Sequence, residues 1–278
     1  MGFVINNNLA ANNSYRSLNN TQNDLSKSLE KLSTGLRINR AADDAAGLSS
    51  SEGLKSQVTG SAQASRNAQD GISVIQTTEG ALTEVHSILQ RMRDLAVQGA
   101  NDTNNAEARG AIKDEADSLG KELNRIQEST KFNGIDLLKG GSLNMQVGTG
   151  GTANDTIAVT LGDVATAVGT LASATGATGF LMTDATTRAA NITSIDLAIA
   201  AVSGQRSDLG ASQNRLEHTV KTLNVAGENL SAAQSRIADV DMAQEMVKFT
   251  KANILSQAGT AMLAQANQSS QGVLSLLR

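Results

Sequence analysis

The chain has no cysteine, no proline and no tryptophan, and its five aromatics (Phe3, Tyr15, Phe132, Phe180 and Phe249) make up 2% of its 278 residues. Without thiols, disulfides, thiolate nucleophiles and Cys-ligated zinc are excluded. Charge of one sign is also lacking, because 23 basic and 27 acidic side chains leave a net charge of only −4. A nucleic-acid binder wants a basic surface and aromatic platforms, and neither is present. The longest uncharged segment, Ala252 to Leu277, contains Asn253, Gln257, Gln265, Asn267, Gln268 and Gln271 and is too polar to cross a membrane. At the start, Met1 to Asn6 has neither the charged beginning nor the apolar run of a secretory signal, and Asn6 stands where a myristoylation signal has Ser or Thr. The 40% of apolar residues is enough for one large core or two small ones, and their ordered spacing argues against a disordered chain.

Helical periodicity dominates both ends. Leu18, Leu25 and Leu32 are seven apart, and Leu29 and Leu36 fill the same stripe, which together predict a coiled-coil-like seam. Gly35 weakens that helix, and Asp43 or Asp44 can cap a new one starting near Ala45. The new helix carries Ile75, Leu82, Leu89 and Ala96 at heptad spacing, with Val85 and Met92 beside them. Its interior also holds Gly53, Gly60, Gly71 and Gly80, each costing about 0.8–1 kcal/mol relative to Ala, so it must draw stability from neighbours. After the break at 99–102, Asn104 with Glu107 reads as a capping box for a third helix ending near Lys131, and Asn133-Gly134 marks a turn. The period then changes to two at Leu143, Met145 and Val147 and again at Ile157, Val159 and Leu161, predicting a small antiparallel hairpin closed by residues 148–155. The Ala-, Thr- and Gly-rich stretch from Asp163 to Gly179 receives no element.

Leu209, Leu216, Leu223, Leu230 and Ile237 are five consecutive sevenths. A helix from about Asp184 to Ile237 would be roughly 80 Å long at 1.5 Å per residue. A compact domain of this length has a radius of gyration of only about 19 Å. The expected fold class is therefore mainly α: an elongated rod of long antiparallel heptad-patterned helices, a coiled-coil-like bundle with a small β-hairpin region and paired termini. A last helix begins at Asp239-Val240-Asp241 and carries Met242, Met246, Phe249, Ile254, Leu255, Met262, Leu263, Val273, Leu274 and Leu277. Both ends are amphipathic with almost no charge, since residues 1–23 contain only Arg16 and 252–277 contain none. Apolar stripes left over in a monomer call for a partner, and an uncharged polar face suits a water-filled lumen. A membrane-surface helix would carry Lys and Arg there instead. Coupled folding and self-assembly is the favoured reading, ahead of an ordinary buried helix pair.

An enzyme is hard to assemble from this inventory. The only histidines, His86 and His218, lie on predicted helices and suit surface or satisfied-core roles. Asp239 and Asp241 resemble metal ligands less than they resemble N-caps. Gly148, Gly150 and Gly151 follow a strand without a helix opening after them, which makes a hairpin loop rather than a phosphate cradle. No catalytic residue, metal site or cofactor is expected.

The run Leu32 to Leu48 (LSTGLRINRAADDAAGL) closely resembles bacterial flagellin, as do Leu89 to Gln98 (LQRMRDLAVQ), the Phe132-Asn133-Gly134 turn, and the closing Ala264 to Gln268 and Val273 to Arg278. The resemblance covers about residues 1–140 and 185–278, and residues 141–184 are where that family varies. It implies a filament subunit with an inner terminal-helix core domain, residues 1–44 plus 238–278, and a rod domain, residues 45–237. It implies an extracellular location in the flagellar filament used for swimming, secretion through the flagellar type III export apparatus, an export chaperone, a filament cap and hook-associated junction proteins. The helices carrying Leu18, Leu25, Leu29, Leu32, Leu36, Met246, Phe249, Leu255, Met262, Leu263, Val273, Leu274 and Leu277 would be the assembly elements. Leu89, Arg91, Leu95 and Glu115 match the surface that contacts an animal innate immune receptor and packs between subunits. Gly2-Phe3-Val4 departs from the family's usual start. A hook–filament junction protein, a minor flagellin variant or a lytic enzyme on a flagellin scaffold are the alternatives. The enzyme is disfavoured because residues 141–184 contain no His or Glu.

Overall fold

The computed structural model describes residues 8–276, with side chains described through Gln268. Its elements run α1 (Leu9–Thr34), α2 (Ala45–Ala100), α3 (Ala106–Ser129), β1 (Lys131–Phe132), β2 (Ile135–Asp136), β3 (Lys139–Gln146), β4 (Thr156–Asp163), α4 (Val164–Val168), α5 (Ala185–Ala238) and α6 (Met242–Leu276). The chain is mainly helical with a small β-hairpin region, as the periodicities predict. Two compact units divide it, residues 1–58 with 228–278 and residues 59–227, and the division falls inside the unbroken helices α2 and α5.

In the first unit, α1 and α6 pair antiparallel. Asn8 Nδ2 donates to the Ala266 carbonyl at one end (3.1 Å), and Ser28 meets Glu245 towards the other. Helix α1 stops because Gly35 takes φ +73°, left-handed backbone that closes the last turn with its N–H on the Lys31 carbonyl. The connectors beyond both helices then form a short backbone ladder. Arg37 N–H donates to the Ala238 carbonyl (2.7 Å) and Val240 N–H to the Gly35 carbonyl (3.0 Å), about a Leu36–Asp239 bridge. Asp44 Oδ1 accepts from Gly47 N–H and caps α2, while Asp43 Oδ2 accepts from the Asn39 and Arg40 N–H groups. Both expected caps are used, each for a different turn.

The second unit holds one apolar cluster. On α2 the expected stripe Ile75, Leu82, Val85, Leu89, Met92 and Ala96 is fully buried. It packs with Ile195, Val202, Leu209 and Leu216 of α5, which extend the predicted heptad two sevenths backwards, and with Ile112, Ala116 and Leu123 of α3. Each fully buried Leu, Ile or Met contributes about 1.5–3 kcal/mol, which offsets the glycines of α2. Helix α3 starts one residue later than expected, because Asn105 rather than Asn104 accepts from the Ala108 N–H. It also ends earlier, at Ser129, since Lys131 and Phe132 pair with Asp136 and Ile135 across the Asn133-Gly134 turn. The hairpin β3–β4 is antiparallel with Leu143 opposite Val159 and Met145 opposite Ile157. The unassigned stretch after Asp163 is folded: Asp163 caps α4, and Val164, Val168, Leu171, Ala177 and Phe180 are core residues.

Candidate assembly surface

Five positions mark the inward seam of α1. Leu18 is buried, Leu25 and Leu32 are half-buried, and the intervening places on the seam are taken by Thr21 and Ser28. A Cβ at Gly259 of α6 would stand 3.2 Å from Leu18 Cδ1, a tight contact that the end of the Leu18 side chain would have to ease by a few tenths of an ångström. Further along, Glu245 is buried on α6 and accepts from the Ser28 hydroxyl (2.7 Å) with Oε1 and from Lys248 Nζ (3.0 Å) with Oε2. Burial alone would raise the Glu245 carboxyl. The hydrogen bonds from Ser28 and Lys248 and the charge of Lys31 outweigh it and hold the group below the ordinary glutamate value of 4.5. Neither Ser28 nor Glu245 stands out in the sequence, because polar residues on an apolar seam leave no mark in the hydrophobic pattern. The available signal was spacing, as Ser28 falls three after Leu25 and four before Leu32.

Both helices also leave apolar side chains exposed. Leu9, Tyr15 and Leu29 of α1 and Leu36 just beyond its end stand in solvent, as do Met242, Met246, Val247, Ile254, Leu255 and Met262 of α6. Val247 is 68% and Met262 62% exposed, values that an ordinary soluble helix pair avoids over so many neighbouring positions. Met246, Val247, Thr250, Ile254 and Leu255 line a surface groove of about 480 Å³. Of the assembly residues expected from the sequence, Phe249 and Leu263 are half-buried. The side chains of Val273 and Leu274, Leu277 and the Gly2-Phe3-Val4 start lie outside the described residues.

The expected receptor and packing surface divides into two layers in the second unit. Arg91 and Glu115 are exposed and paired, with Arg91 Nη2 2.6 Å and Nε 2.8 Å from Glu115 Oε1. Leu89 and Leu95 are fully buried on α2, beneath the exposed Arg91–Glu115 pair. The heptad that carries Leu82 and Leu89 into the core, with Leu95 beside Met92, turns these side chains away from solvent.

The candidates for chemistry resolve into structural roles. Asp241 Oδ1 accepts from the Ala243 and Gln244 N–H groups and caps α6, and Asp239 accepts from the Ser235 hydroxyl. Asp155 accepts from the Thr152 hydroxyl and N–H inside the hairpin loop, and these bonds lower its carboxyl below the usual range. His86 Nε2 lies 3.0 Å from Gln90 Nε2 on α2, while His218 is exposed on α5. Among the described residues no three His, Asp or Glu side chains converge to hold a metal ion, and no helix is long and apolar enough to cross a membrane.

Comparison with known proteins places this arrangement. Residues 5–143 match the bacterial flagellin N-terminal helical region and residues 192–277 the bacterial flagellin C-terminal helical region. The chain is 52% identical over 275 residues to a flagellin of Halalkalibacterium halodurans, covering 99% of this chain and 100% of that protein. It is 46% identical over 286 residues to the flagellar filament 33 kDa core protein of Treponema phagedenis, again covering 99% of this chain and 100% of the relative. A crystal structure of Bacillus cereus flagellin is 31% identical, covers 61% of this chain and 94% of that one, and has a TM-score of 0.49. Matched at both ends and along almost its whole length, this chain belongs to the bacterial flagellin family.

Proposed function

We propose that the chain is a structural subunit that self-assembles into the extracellular flagellar filament used for swimming. The observation that carries this reading is the exposed apolar surface on both members of the α1–α6 pair, at helices whose outer ends have almost no charge. Water penalises that surface at about 25 cal/mol per Å² of apolar area, and a neighbouring copy removes it from water. Val247, Ile254, Leu255 and Met262, each about half to two-thirds exposed, are worth about 4–7 kcal/mol if fully covered, before ordering costs are subtracted. Growth on an existing end covers more of it than dimer formation does, so assembly is nucleated and concentration-dependent.

Within that reading, residues 1–44 and 238–278 form the inner core of the filament, with their uncharged Asn- and Gln-rich faces on a water-filled lumen, and residues 45–237 form the surrounding rod. The subunit is a structural protein and not an enzyme. Secretion through the flagellar type III apparatus with an export chaperone, growth beneath a filament cap, and contact with hook-associated junction proteins belong to the same reading. So does recognition by an animal innate immune receptor through Arg91 and Glu115, with Leu89 and Leu95 supporting the helix beneath them. Electron microscopy of the purified chain after addition of sheared filament seeds tests the central statement. Long uniform filaments are expected, and a chain that only adds a short segment or none would instead be an adaptor.

A further inference from the structure

Beside the apolar groove of α6 lies a second cleft, of about 400 Å³, between α1 and α6. Lys27, Lys31, Lys248 and Lys251 line it together with Asp24 and Glu245, two positive charges in excess among the lining residues, with Asp43 outside the lining also feeling the charges of Lys31 and Lys27. Among the described residues only Lys248 of the four makes an ion pair, and its partner is Glu245. Lys251 and Leu255 line both clefts, which makes one continuous face, apolar on one side and cationic on the other. Cations gathered at one cleft repel one another, and the repulsion is relieved when carboxylates enter.

The chain itself carries the complement. Residues 1–58 and 228–278 have ten basic and nine acidic side chains, a net charge of +1, whereas residues 59–227 have thirteen and eighteen, a net charge of −5. On α2, Asp70, Glu84 and Asp94 are exposed and none makes an ion pair among the described residues. We infer that the lysine cleft of one subunit is a docking site for a second copy of this chain, receiving carboxylates of that copy's residues 59–227, with Asp70, Glu84 and Asp94 of α2 the foremost donors of charge. The inference rests on the filament reading above and assigns an electrostatic contact within it. The apolar groove supplies burial, and the lysines fix register and make assembly sensitive to salt.

The test uses filaments grown from an equal mixture of unlabelled and 15N-labelled full-length chain, treated with a carbodiimide that joins an amine to a carboxylate only in direct contact. Mass spectrometry is expected to find Lys27, Lys31 or Lys251 of one isotope joined to carboxylates of residues 59–227 of the other. In parallel, a K27Q/K31Q/K251Q chain is expected to show a critical concentration about three- to a hundred-fold higher at low salt, with a flatter salt dependence. Filaments that form normally while the three lysines stay uncoupled, or couple only within one copy, overturn the inference and leave the filament reading standing. An unchanged critical concentration and salt dependence in the triple variant does the same. Failure of the parent chain to form filaments under any seeding condition removes both.

Discussion

At Glu245 a single carboxylate joins two helices, and its protonation state follows from what surrounds it. Its folded pKa is lowered, so the stability it contributes is fully present above the ordinary value of 4.5 and is lost as pH falls through the folded value. Amide protection in α1 and α6 is therefore expected to hold steady from pH 7 to about 5 and to fall below about 4.5. Glu245→Gln is expected to lack that acid step, and Glu245→Ala to leave the buried Ser28 hydroxyl without its acceptor at a cost of about 1–3 kcal/mol. Hydrogen exchange as a function of pH reads both; an identical acid profile in the Gln variant would assign the step to other groups. Substitution also separates the two layers of the Arg91 region. Leu95→Ala opens a cavity in the second unit and is expected to cost about 2–5 kcal/mol, while Arg91→Ala removes an exposed pair worth about 0–1 kcal/mol. Urea denaturation distinguishes them, and equal midpoints would contradict the burial of Leu95. Arg91→Ala is accordingly the cleaner probe of the proposed receptor recognition, because a loss in the Leu95 variant is confounded with lost stability.

Each helix draws its stability from how much of one face it buries, and the helices differ widely. Helix α1 buries only Leu18 and Ser28 across 26 residues, and the described side chains of α6 add only Glu245 and Ala252. In contrast, α3 buries Ile112, Ala116, Gly120, Leu123 and Gln127 within 24. Local opening is easiest where few apolar contacts hold an element. In the unassembled chain, amides of α1 and α6 are expected to exchange faster than those of α2 from Ile75 to Ala96, and to become protected when filaments form. Equal protection of α1 and α2 in a verified monomer would remove the reason for coupling terminal-helix order to assembly.

The same contrast explains what was legible. The stripes on α2 and α5 could be read because every seventh residue is apolar, and the hairpin because its period is two. The seam of α1 was only half legible, since Thr21 and Ser28 occupy places that Leu would have announced. Asn104 and Asn105 are equally good caps, and Glu107, three residues after Asn104, favoured the wrong one. The stretch after Asp163 hid its fold because Val164, Val168, Leu171, Ala177 and Phe180 reach the core from short turns with no common period. Burial of Leu89 follows from the heptad it shares with Leu82, whereas Leu95 lies off that heptad, three residues after Met92.

For the whole molecule, the proposed filament role makes the terminal helix pair the assembly element and the remaining helices a scaffold that folds without it. The buried heptad at Ile195, Val202, Leu209 and Leu216 and its partners on α2 and α3 lie entirely within residues 59–227. A chain lacking residues 252–278 keeps this core and loses Ile254, Leu255 and Met262 from the exposed face of α6. The most direct measurement is sedimentation of that truncated chain after addition of seeds, beside the full chain, with circular dichroism on the same samples. A cooperative helical melt is expected in both, with a pelleted polymer from the full chain and only monomer from the truncation at every concentration where the full chain assembles. A truncated chain that pellets as filaments at a similar critical concentration would contradict this, and assembly would then have to be sought on residues 59–227.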